Sequence, residues 1–74
     1  MEREYWEYMM VVCSVKGHVI DDSGVAKNII ETLNQLGKES WEDYATAVVK
    51  DEHGAIRIQH FLKRRLDPRE VFGF

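Results

Sequence analysis

The stretch that decides the fold is Tyr5-Trp6-Glu7-Tyr8-Met9-Met10-Val11-Val12-Cys13-Ser14-Val15. Nearly every position is aromatic, β-branched or otherwise apolar, and such a run suits the pleated surface of a strand. Alternation places Trp6, Tyr8, Met10 and Val12 on one side and Tyr5, Met9, Val11, Cys13 and Val15 on the other. Neither side reads as solvated. A strand that is apolar on both faces is covered on both faces, so a single helix can cover one and the second must meet another chain or the tail folded back.

Downstream, Lys16 to Asp22 reads as a loop, with Asp22 or Ser23 as the residue whose side-chain oxygen caps a following helix. Val25, Ile29, Ile30, Leu33 and Leu36 recur at three- and four-residue intervals and predict an amphipathic helix, ended by Gly37. Trp41 to Lys50 predicts a second strand, in which the small residues Ala45 and Ala47, with Val49, suit close packing beneath the helix. Asp51-Glu52-His53-Gly54 is a polar turn, and Ala55 to Leu66 resumes period-two alternation, which together make a hairpin. Asp67-Pro68-Arg69-Glu70 carries a capping residue, a proline at the first helical position and an acid three residues after the cap. It predicts a helical turn, followed by an apolar tail of Val71, Phe72 and Phe74.

The expectation is a single small α+β domain, strand-helix-strand-strand over residues 1–66, with a tail at 67–74. The sheet is three-stranded and mainly antiparallel, with one helix on one face. Placing the last strand in the centre avoids a parallel crossover.

With 74 residues, such a domain buries only about 60% of the surface its unfolded chain exposes, and association is a common supplement at this size. The single cysteine, Cys13, excludes an internal disulfide framework and a CxxC motif. Ten basic against thirteen acidic residues give a net charge of −3, without the basic excess that drives nonspecific nucleic-acid binding. The start, Met1-Glu2-Arg3-Glu4, lacks the features of a secretory signal, and no apolar run approaches the ~20 residues that span a bilayer. A cytoplasmic protein without a membrane segment is expected.

Three blocks resemble a known family. Tyr5-Trp6-Glu7-Tyr8 leading into Val11-Val12, the phrase Leu33-Asn34-Gln35-Leu36-Gly37-Lys38-Glu39-Ser40-Trp41-Glu42, and Phe61-Leu62-Lys63-Arg64 resemble the 4177 family of small bacterial and phage domains of unknown function. The resemblance implies a compact strand-helix-strand-strand domain and transfers no catalytic residue. Where that family commonly has glycine before the tryptophan, this chain has Ser40, so a differently shaped turn is expected. Asp43 replaces a usual apolar residue and is expected to face solvent or a partner.

Candidate chemistries are few. His18, His53 and His60 with Asp21, Asp22, Asp51 and Glu52 are metal-ligand types, but their spacing matches no ligand motif, and no metal or cofactor is expected. Cys13 would be a nucleophile only with a histidine beside it; a buried apolar role is the expectation. Ser14, Ser23 and Ser40 lack a nucleophile-elbow context, so no catalytic residue is assigned. Arg57, Lys63, Arg64 and Arg65 form the basic cluster and are the candidate anion site, split by alternation between two faces. Tyr5, Met9, Val11 and Val15, with Phe72 and Phe74, are the candidate interface. The expected function is a non-enzymatic interaction module that forms a homo-oligomer through an uncovered sheet face. The alternative is a protein that sequesters a small, nucleotide-like anion between subunits.

Overall fold

The structure is a computed structural model in which residues 4–21, 23–67 and 69 are described. Its elements are β1 (Tyr5–Ser14), α1 (Ile29–Lys38), β2 (Glu42–Lys50) and β3 (Ile56–Leu66). The sheet order is β1-β3-β2, with β3 central and both pairings antiparallel. The expected α+β architecture and strand order are therefore the observed ones. No helix among the described residues is long and apolar enough to cross a membrane.

The register assigns the faces. β1 pairs with β3 from Tyr5 opposite Leu66 to Ser14 opposite Arg57. β2 pairs with β3 from Glu42 opposite Lys63 to Lys50 opposite Ile56, with a bulge between Asp43 and Ala45. One face therefore collects Glu7, Met9, Val11 and Cys13 from β1, Ile58, His60, Leu62 and Arg64 from β3, and Asp43, Thr46 and Val48 from β2. The helix covers part of this face. The apolar side chains buried among the described residues are Leu62 (1% exposed) and Cys13 (2%) from the sheet and Ile29 (7%) from the first turn of α1.

Both helix caps differ from the sequence expectation. The N-cap is Asn28, whose Oδ1 accepts from the backbone N–H groups of Ile30 (2.8 Å) and Glu31 (3.4 Å). Ser23 lies outside the helix, where its Oγ accepts from the Val25 N–H; Asp22 is outside the described residues. Val25 consequently precedes the helix and is exposed. At the other end Gly37 remains helical, and the left-handed residue is Ser40, at φ 72°. Ser40 N–H donates to Gly37 O (3.1 Å) and Trp41 N–H to Leu36 O (3.0 Å), the paired bonds of a Schellman turn. The helix runs one residue past Gly37, to Lys38, and these bonds satisfy its last carbonyls.

Between β1 and α1 the described residues make bonds beyond those of a plain loop. After a turn through Gly17 (φ 82°), the chain folds back on β1: Ser14 N–H donates to His18 O and Ile20 N–H to Val12 O, each at 2.8 Å. Val19 N–H then donates to Lys27 O (2.9 Å), and Ile29 N–H returns to Gly17 O (2.8 Å). A Cβ at Gly17 would meet Ile29 Cγ2 at 3.2 Å, so glycine serves both the turn and the close approach. This segment covers the outer edge of β1 at its C-terminal half.

One packing expectation is corrected by the register. Ala45, Ala47 and Val49 lie opposite Phe61, Gln59 and Arg57, on the face away from the helix, so their small size does not serve helix packing. Asp43 is exposed, and its carboxylate also reaches the His60 ring. Beyond β3, Asp67 Oδ1 accepts from the Arg69 N–H (2.9 Å), as the start of a helical turn would require. Pro68, Glu70 and the tail residues Val71, Phe72 and Phe74 lie outside the described residues.

Candidate functional site

The sheet brings together three groups that are far apart in sequence. Cys13 Sγ lies 3.6 Å from His60 Nε2, and His60 Nδ1 lies 2.9 Å from Asp43 Oδ2. Each comes from a different strand, and the β1/β3/β2 order aligns them across the helix-covered face. One proton arrangement satisfies all three: the ring donates Nδ1–H to the carboxylate and accepts the thiol S–H at Nε2.

Residue types and order match a nucleophile, a base and an orienting acid. The environment does not. Cys13 is sealed, and burial pushes its thiol pKa up, which favours the unreactive protonated form. The condition for a reactive thiol, a neighbouring histidine, is thus met in position and countered by desolvation. Chemically, the chain is a satisfied polar cluster beneath the helix. No sequence spacing connects His60 and Asp43 to Cys13, because the link depends on strand register.

The basic candidates are dispersed. Arg57, Lys63 and Arg65 point to the open face, whereas Arg64 points to the helix side. Arg57 pairs with Asp51 (3.3 Å) and Arg65 with Glu4 (3.7 Å). Arg64 donates from Nε to Glu7 and from Nη1 to Glu39 O (3.2 Å), with its guanidinium 4.6 Å from the centre of the Trp41 ring. Lys63 Nζ lies 4.8 Å from the Trp6 ring centre and 5.4 Å from that of Tyr44. Each cation already has a partner, and no common anion site is formed by the four.

Histidine placement likewise assembles no metal centre. His18 and His53 lie in loops at the same end of the sheet, on either side of β3, while His60 is engaged within it. Among the described residues no three His, Cys, Asp or Glu side chains are grouped as metal ligands.

The remaining surface feature is the face opposite the helix. Trp6, Tyr8 (66% exposed) and Met10 (51%) from β1 lie there with Phe61 and Lys63 from β3 and Tyr44, Ala45, Ala47 and Val49 from β2. The Tyr8 and Tyr44 rings meet edge-to-face at 6.2 Å across Lys63. The residues expected at an interface lie off this open face where they are described. Tyr5, Met9 and Val11 are half-buried on the helix side, Val15 is exposed just beyond β1, and Phe72 and Phe74 lie outside the described residues.

Comparison with protein-family models, curated proteins and solved structures finds no match.

Proposed function

We propose that the chain is a non-enzymatic interaction module that associates with a second copy of itself through the open face of its sheet. The observation that carries this reading is the contiguous exposure of Trp6, Tyr8, Met10 and Tyr44 around Phe61. Monomers rarely leave a patch of this kind uncovered. Its composition supports a protein partner: tryptophan, tyrosine and methionine are enriched at interface centres, and acidic side chains are confined to its margin at Glu4 and Glu42. A second copy is favoured because the buried apolar set among the described residues, Cys13, Ile29 and Leu62, is small for a domain of this size. A two-fold contact would add each protomer's aromatic surface to the other's core.

The non-enzymatic part rests on the sealing of Cys13 and the separate engagement of each cation. The cytoplasm suits a chain whose one thiol is held free, since cytosolic thiols stay reduced.

Light scattering coupled to size-exclusion chromatography tests the reading. The wild-type chain is expected to elute as a dimer or larger species at micromolar concentration. Tyr8→Glu combined with Met10→Glu puts two carboxylates into the proposed contact and is expected to weaken it about a hundredfold, roughly 2.7 kcal/mol. A wild-type monomer, or a double variant with wild-type mass, overturns the proposal.

A further inference from the structure

We propose that two copies also join edge to edge, β2 against β2, antiparallel about Ala47, to make a continuous six-stranded sheet. The inference rests on the self-association proposed above but uses a different surface. β2 is the terminal strand, and among the described residues nothing pairs with its outer edge. The contrast with β1 is informative, because there the segment 18–20 hydrogen-bonds over the edge at Val12 and Ser14.

Edge strands are normally protected by charges, proline or a bulge. From Ala45 to Val49 the outer strand has no charge, proline or glycine, and Val48 is 71% exposed. The bulge at Tyr44 falls just outside this tract and leaves it regular.

The charges flank the tract with opposite sign: Glu42 and Asp43 before it, Lys50 after it. Antiparallel self-pairing brings each acidic end to the other chain's basic end, whereas parallel pairing would place like ends together. About Ala47, Ala45 lies opposite the partner's Val49 and Thr46 opposite the partner's Val48. Opposed residues must share a face, and they do. Thr46 and Val48 pair with His60 and Ile58 on the helix side, and Ala45 and Val49 with Phe61 and Arg57 on the open side. The extra residue of the bulge then aligns Lys50 with the partner's Asp43, both on the helix side.

Two substitutions at the same sites read the register. Thr46→Lys with Val48→Lys sets lysine opposite lysine twice, and is expected to weaken the edge contact about tenfold or more. Thr46→Lys with Val48→Glu sets lysine opposite glutamate twice and is expected to keep it. In light scattering the first pair should halve the wild-type mass and the second retain it. If the lysine pair retains the wild-type mass, or both pairs lose it alike, edge pairing about Ala47 is overturned while the open-face contact stands. Loss of association only on Tyr8→Glu with Met10→Glu has the same meaning. A wild-type monomer overturns both contacts.

Discussion

Ser40 is the residue at which local conformation and residue type disagree most. At φ 72° a side chain with a Cβ is strained, and glycine adopts that region freely. Ser40→Gly is therefore expected to stabilise the fold by about 0.5–1 kcal/mol in urea titration. Gly37 is the reverse case, a helical glycine with open space around its missing Cβ. Gly37→Ala should also stabilise by about 0.5–1 kcal/mol, whereas Gly17→Ala, at φ 82° and against Ile29, should destabilise. A reversed order among these variants would contradict the assignment of the helix end to Ser40. For Cys13, burial predicts alkylation by iodoacetamide at least tenfold slower in the native chain than in denaturant, an order-of-magnitude effect of its raised thiol pKa and lost access. Equal rates would restore the thiol as a reactive group.

At the scale of elements, the helix start is decided by competition between two polar residues. Ser23 and Asn28 are both capable caps, but the 16–28 segment is drawn onto the edge of β1, so the helix begins only where that pairing ends, at Asn28. Asn28→Ala should cost about 1 kcal/mol, and Ser23→Ala should leave helix stability unchanged, as read by thermal unfolding. Within the same segment, hydrogen bonds from the Ser23 hydroxyl, the Lys27 ammonium and the Ser23 N–H hold the Asp21 carboxyl down, at about 2. Because its folded value is depressed below the ordinary 3.8, its contribution is present above that value and is lost as pH falls through about 2. Amide exchange at Ser23 and Val25 should therefore show reduced protection at pH 2 relative to pH 5, after correction for intrinsic rates. Protection independent of pH would separate Asp21 from the order of the segment.

At the scale of the molecule, Leu62 is the most buried side chain among the described residues, placed on the central strand beneath the helix. Leu62→Ala is expected to cost about 2–5 kcal/mol, and in an assembly held by the open face the loss would also appear as weaker association. A small change in urea midpoint would show that the covered face is not where stability resides.

From sequence alone came the element order, the helix and the antiparallel sheet with a central last strand, because these depend on periodicity, turn residues and the length of connections. That β1 is apolar on both of its faces was equally legible. Which face stays open was not. The helix covers Cys13 and Met9 instead of Trp6 and Tyr8 because of where the 16–28 segment folds and where α1 starts, and both follow from hydrogen bonds between residues distant along the chain. The Cys13–His60–Asp43 chain likewise exists only through register. A shift of one residue in either pairing would turn its members to opposite faces, and no spacing in the sequence records that choice.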